Sequence, residues 1–337
     1  MKKNRKYLIG LFAFVFFIFL SSHKIYADNG DFSISPLDPK TGEVQSSYYD
    51  LTVTPGQKVV LKVKIHNNSD ESKTIQVEAN NGTTNDNGIT SYLKTNKRDS
   101  SLKIAFEDIA KVEKNEIIVP SKGTEVAIVS VEIPNEKFIG DILGGLHFFE
   151  NQHGNKRQQN STITNHIAYT IGVVLKESEE LVLPKMAMQG VILEQRNYRN
   201  YMSVVLQNSM PTIIKKLTVK AQVYKKDTDN LQYEASNNDM RMAPNSNFKF
   251  GISLEDKQFI PGEYTMKVSG NADGVPFDFS QNFTVPKDKA EKLNSNAVFV
   301  NEKENSTNLI YILIILVILV IILIRMLVEK RRMNNET

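Results

Sequence analysis

In the run Lys58–His66 the apolar residues Val59, Leu61, Val63 and Ile65 alternate with Val60, Lys62, Lys64 and His66. This period of two constrains the fold most. Successive side chains of a strand point to opposite faces, so the run buries one face and wets the other only if it is extended. Pro55-Gly56 turns the chain in and Asn67-Asn68-Ser69-Asp70 turns it out, residue types that favour turns for distinct backbone reasons. Nothing in the stretch is chemically reactive, so it reads as framework.

The same grammar recurs. Residues 28–178 hold "YYDLTVT", "KTIQVEA", "NEIIVP", "TEVAIVSVEIP", "ILGGLHFFE" and "HIAYTIGVVLK", and residues 179–287 hold "GVILEQRN", "YMSVVLQNS", "KLTVKAQVYKK", "NFKFGISL", "GEYTMKVSG" and "FDFSQNFTV". Short strands separated by turn signals predict an all-β chain of two tandem immunoglobulin-like sandwiches. Asn87-Gly88 predicts a type I′ hairpin turn. "RDSSLKIAFEDIAK" is ambiguous between loop and short helix, and "NQHGNKRQQNST" reads as a polar loop. Val63–His66 runs into Asn67 much as Val204–Gln207 runs into Asn208, and "IPGEYTMKV" is similar to "TPGQKVVLKV"; duplication and convergent strand grammar both account for this. Residues 288–308 have few large apolar side chains and predict a flexible stalk.

The two ends predict export and anchoring. Lys2, Lys3, Arg5 and Lys6 precede "YLIGLFAFVFFIFL" and "IYA", the pattern of a signal peptide cleaved after Ala27. Residues 309–328 form an apolar span of about 20 residues, which at about 1.5 Å each crosses a hydrocarbon core of about 30 Å. Lys330, Arg331 and Arg332 follow it, so the tail 329–337 is expected inside and the body outside, as in a single-pass type I membrane protein. No "LPxTG" sorting signal precedes the span. The formal charge of +3 comes from these ends and leaves a slightly acidic body without basic runs, which excludes nucleic acid as a partner class. The chain has 0 cysteines; two cores of this size manage without disulfides.

Catalytic and metal signatures are sparse. There is no "HExxH", "GxSxG" or Walker loop. His147 and Glu150 would face opposite sides of a strand. "TNDNG" begins like a calcium loop, but its twelfth position is Lys94 where a bidentate Glu is needed. No cofactor or metal is expected. The binding candidates are polar and aromatic: Tyr48, Tyr49 and Tyr92, with Asn80, Asn81, Thr84, Asn85 and Asn87. They suit stacking on sugars and hydrogen bonding to hydroxyls, and half-buried sheet tyrosines explain them equally. Gly140, Gly144 and Gly145 mark either a bulge or a surface that something approaches closely.

In their order, "YYDLTVTPGQ", "VKIHNNSD", "TTNDNGITSY", "SLKIAFEDI", "IIVPSKGTEVAIVSVEIP" and "FIGDILGGLHF" resemble the first domain of the WxL-interacting cell-surface proteins of Gram-positive bacteria. "IAYTIGVVLKE", "VVLQNSMPTIIKKLTVKAQVY", "FIPGEYTMKV" and "FDFSQNFTV" resemble the second. The resemblance implies a non-catalytic scaffold with a peptidoglycan-binding first domain, a host-binding second domain and WxL-domain proteins as partners. It also implies a domain boundary nearer residue 160 than 178. An adhesin that binds a host extracellular protein directly is the alternative, and a wall-modifying enzyme is a third class.

Overall fold

The structure is a computed structural model that describes residues 31–45, 48–150 and 167–298. The expected leader, the end of the stalk, the apolar span and the tail lie outside them. Among the described residues no helix is long and apolar enough to cross a membrane. Among the described residues the fold is all-β, and no barrel is present. The described residues divide into two compact units, 31–83 with 91–182, and 84–90 with 183–298.

The first unit contains β1 (Phe32–Leu37), β2 (Tyr48–Thr52), β3 (Lys58–Asn67), β4 (Lys73–Asn81), α1 (Phe106–Ile109), β7 (Ala110–Val112), β8 (Glu116–Val119), β9 (Thr124–Glu132), β10 (Ile142–Glu150) and β11 (Ala168–Lys176). A ribbon of β5 (Thr83–Thr84) and β6 (Thr90–Ser91) interrupts the series. One sheet has the order β1-β3-β9-β7 and the other β2-β11-β10-β4-β8. The period read in Lys58–His66 has the expected register: Val59, Leu61, Val63 and Ile65 are buried, and Val60, Lys62 and Lys64 are exposed. They pack with Val129 and Val131 of their own sheet against Leu146, Phe148, Ile171 and Val173 of the other. The ambiguous segment supplies α1, whose Phe106 enters this core.

The second unit contains β12 (Met186–Arg196), β13 (Arg199–Asn208), β14 (Ile214–Lys225), β15 (Leu231–Met242), β16 (Ser246–Ser253), β17 (Gly262–Ala272), β18 (Val275–Val285) and α2 (Lys287–Asn296). Its sheets are β12-β13-β16 and β15-β14-β17-β18. The plan repeats that of the first unit: β3 and β13 are central in one sheet, while β10 and β17 join the next strand of the chain to the last.

Asn67 and Asn208 show how deep the repetition goes. Both end the equivalent strand and both are fully buried. Asn67 Nδ2 donates to the carbonyls of Glu71 (2.7 Å), Val119 (3.1 Å) and Pro120 (3.0 Å), and its Oδ1 accepts from Ser69 N (2.9 Å). Asn208 Nδ2 donates to the carbonyls of Thr212 (2.8 Å) and Ala243 (3.2 Å), and its Oδ1 accepts from Met210 N (3.3 Å). In each case one amide holds the carbonyl four residues on and the N–H two residues on, so the strand leaves the sheet with its polar groups paired. The other similarity does not survive: Pro55-Gly56 precedes β3, whereas Pro261 precedes β17, a non-equivalent strand that begins at Gly262. There Tyr264 donates its hydroxyl to the Ile260 carbonyl at 2.9 Å, a contact that pins the corner leading into the strand.

Two further expectations are corrected. The stalk expected from 288 begins instead with α2, because one narrow stripe suffices to dock it: Ala290 is buried and Leu293 packs on the core. Asn294 completes the docking, accepting from Phe259 N (2.8 Å) and Asn200 Nδ2 (3.0 Å) and donating to the Phe259 carbonyl (3.0 Å). The turn at Asn87-Gly88 is not type I′. Gly88 alone has positive φ, +68°, Gly88 N donates to Asn85 O and Asn85 N to Ile89 O, which is a type I turn followed by a left-handed glycine. The Asn85 carboxamide favours it by accepting from Asn87 N (3.0 Å) and Ile89 N (3.1 Å). A type I′ turn does occur at Asn197-Tyr198, where both φ are positive.

Candidate binding face

Strand register gathers three of the eleven candidate residues, and Tyr92 joins them as a fourth. Asn80 of β4 lies opposite Gly145 of β10, Gly145 opposite Gly172 of β11, and Gly172 opposite Tyr48 of β2. Cross-strand partners share a face, so these form one row on the outer side of the five-stranded sheet. Tyr92 lies over the row: a Cβ on Gly145 would fall 2.6 Å from its ring, and one on Gly172 would fall 3.1 Å from its hydroxyl. Asn80 Nδ2 fixes the approach by donating to the Tyr92 carbonyl at 3.1 Å. The glycines therefore mark no bulge, since both ladders of β10 keep continuous register; they make room for a ring. Gly144 does the same on the inner face, where a Cβ would meet Phe106 at 2.0 Å. Gly140, with φ +74°, is a turn residue ahead of β10.

A second row lies beside the first, with Glu78 opposite His147 and His147 opposite Thr170. His147 Nδ1 meets Thr170 Oγ1 at 3.0 Å. Burial pulls the His147 pKa down and nearby Glu78 pulls it up, with a net lowering, so the ring is neutral at neutral pH. Burial raises the Tyr92 phenol. Tyr48 is 50% exposed. The face thus offers flat aromatic surface, a hydroxyl, an imidazole and one carboxylate, with Lys94 4.0 Å from Glu78. Such a surface suits an uncharged, polyhydroxylated ligand. Glu78, His147, Thr170 and Gly172 were not among the candidates, although Gly172 inside "YTIGVVL" carries the same signal as Gly145.

The other candidates serve different ends. Tyr49 is in the core, donating to the Lys62 carbonyl at 2.7 Å, and burial pushes its pKa up to about 12; no sugar reaches it. Asn81 is buried and accepts from Glu107 N at 3.2 Å, at the start of α1. Thr84, Asn85 and Asn87 belong to the second unit. Thr84 Oγ1 meets Ser246 Oγ at 2.7 Å and accepts from Ala243 N at 2.9 Å, and Arg241 N donates to the Gly88 carbonyl at 2.8 Å. Asn85 and Asn87 are exposed at the turn itself.

Asp86 from the same turn enters a charge cluster. Its carboxylate lies 3.4 Å from Lys249 Nζ and 3.6 Å from Arg196. Glu194 receives Lys249 Nζ at 2.6 Å, Ser203 Oγ at 2.7 Å and Arg196 at 2.8 Å. Burial pushes the Glu194 pKa up, but the bonds from Lys249, Ser203 and Arg196 outweigh it and hold it below 4.5. A depressed carboxylate stabilises the fold above its unfolded pKa, and that contribution is lost as pH falls through the folded value. Wild type is therefore expected to lose second-unit stability more steeply than Glu194→Gln as pH drops below about 4.5, read by melting at stepped pH; parallel losses would show that the cluster contributes nothing.

Two family models match the chain. Residues 32–150 match "WxL Interacting Protein, peptidoglycan binding domain", and residues 158–295 match "WxL Interacting Protein, host binding domain". No curated protein matches. Among solved structures, the E. coli chaperone DraB is similar at 10% identity over 76% of this chain and 98% of its own, with a TM-score of 0.29. The chaperone–tip subunit complex of the Acinetobacter baumannii Csu pili gives 10% identity, 66% and 90% coverage and a TM-score of 0.33. The Pseudomonas aeruginosa CupB2 chaperone gives 11%, 68%, 92% and 0.27.

Proposed function

The chain belongs to the WxL-interacting protein family, and from that premise we propose that it is a non-catalytic cell-surface scaffold that holds peptidoglycan with its first unit and a host protein with its second. Both matched domains carry binding descriptions. The sandwiches are of immunoglobulin-like type, residues 1–27 are a cleaved leader, and 309–328 anchor a type I protein whose ectodomain works in the wall and engages WxL-domain proteins.

The observation that carries the first half of this reading is the glycine row roofed by Tyr92 and flanked by exposed Tyr48. Sugars bind proteins through stacking on flat aromatic faces and hydrogen bonds to hydroxyls, and this face supplies both, its Glu78 carboxylate lying 4.0 Å from Lys94 Nζ. Tyr48 is exposed on an edge strand, so its truncation leaves the core intact. In sedimentation with purified wall sacculi, residues 28–308 carrying Tyr48→Ala and Glu78→Ala are expected to bind at least tenfold more weakly than wild type, with equal melting. Undiminished sedimentation would remove this face from consideration.

Anchoring is tested separately. Deletion from Leu309 onward removes the one span long enough to hold the processed chain in a bilayer. The truncated protein is expected mostly in the medium or in a salt-released wall fraction, and persistent membrane fractionation would overturn the assignment. Wall-washed cells carrying the full chain should retain host matrix protein through the second unit; binding lost only with the first unit would reverse the division of labour.

A further inference from the structure

The two units have equivalent last strands with different neighbours. In the first, β11 follows β10 in the sheet, and β2 pairs along its outer edge in parallel register, Gly172 opposite Tyr48 to Lys176 opposite Thr52. In the second, β18 follows β17 in the same position, and no strand pairs with its outer edge among the described residues. The side chains record the difference. The inward residues of β11, Ile171, Val173 and Leu175, are fully buried, whereas Phe277, Phe279 and Phe283 of β18 pack on the core but stay partly exposed. Gln281 continues their parity and is exposed.

An open edge of this length is unusual unless blunted. β15, at the other margin of the same sheet, is broken by three register shifts. β18 pairs with β17 over Gly262–Ala272 without one, carries no lysine, and has its single proline, Pro276, next to one end. Beside it an open groove of about 560 Å³ is lined by Met186 and Met188 of β12 and by Phe279 of β18, with the polar Asp278, Ser280 and Gln281 also bordering it. Methionine side chains adapt to varied apolar partners.

We propose that the β18 edge is a strand-addition site, which takes an extended segment of a partner protein in the position that β2 holds on β11. The segment runs parallel to β18, its main chain completes the ladder, and its alternate apolar side chains fill the groove over Met186, Met188 and Phe279. The chain's own remaining segments suit this role poorly: residues 151–166 hold Ile163 as their one large apolar residue, and in 299–308 the apolar residues are the adjacent pair Phe299-Val300, with none beyond. The proposal sharpens the second unit's role as a protein-binding module and rests on that reading only for the biological source of the strand.

The test uses the full chain in detergent and, as probe, a fluorescent peptide of five Thr-Val repeats with a lysine at each end. Of Ser280→Pro and Gln281→Pro, one removes an outward N–H and keeps the ladder to β17, and the other breaks that ladder; the variant that melts like wild type is the informative one. Saturable binding by wild type, weakened at least tenfold in that variant and unchanged by Asn237→Pro on β15, supports the site. Absence of saturable binding, or binding indifferent to the β18 proline, overturns it. A wild-type dimer that the same proline converts to monomer also overturns it, by making a second copy the occupant. Failure of host-protein retention on cells would leave the peptide result standing, so the two readings fail separately.

Discussion

Val63→Asp is expected to unfold the first unit at ordinary temperature, while Lys64→Asp, one residue on, changes its melting by little. Val63 is 0% exposed and sits between the sheets. The substitution forfeits about 2 kcal/mol of apolar burial and places a carboxylate without a partner where the effective cost is several kcal/mol more. Against a domain stability of about 5–15 kcal/mol, that sum removes most of the margin. Lys64 points to solvent on the same strand, and surface changes of this kind stay within about 0.5 kcal/mol. Thermal melts of the two variants decide the matter: equal effects would mean that the strand is out of register by one residue.

Asn67→Ala is expected to destabilise the first unit by about 2–4 kcal/mol, since a buried polar group left without its partner costs about 1–3 kcal/mol and this side chain serves the carbonyls of Glu71, Val119 and Pro120 together. Asn208→Ala should do the same to the second unit through Thr212 and Ala243. Asn67→Asp should be worse than alanine, because a carboxylate oxygen would then face those carbonyls. Each variant should lower one melting transition and spare the other; a shift of both by either variant would show that the units do not melt separately.

Much of this was legible along the chain because strand faces follow a period of two and need no knowledge of partners. The buried face of β3 and the likeness of the runs into Asn67 and Asn208 follow from neighbours in sequence, whereas the segment of α1 stays ambiguous between loop and helix until Phe106 finds the core. The helix α2 did not, because its docking rests on Ala290, Leu293 and Asn294, whose value comes from Phe259 and Asn200 far away in the chain. The turn at Gly88 was misassigned for a related reason: Asn-Gly permits several turns, and the Asn85 carboxamide selects one.

The candidate face divides in the same way. Residue type alone picked out Tyr48, Asn80, Tyr92 and Gly145, because rings, amides and strand glycines are informative wherever they occur. It also picked out Tyr49, which is core, and Thr84, which bonds Ser246 in the second unit. What the sequence by itself determined is the list of strands, their wet and dry faces and the family, since these are written in local periodicity and ordered motifs. Only the tertiary structure decided which glycine lies under which ring, which tyrosine faces water and which last strand lacks a neighbour, because strand pairing joins residues that no local pattern connects.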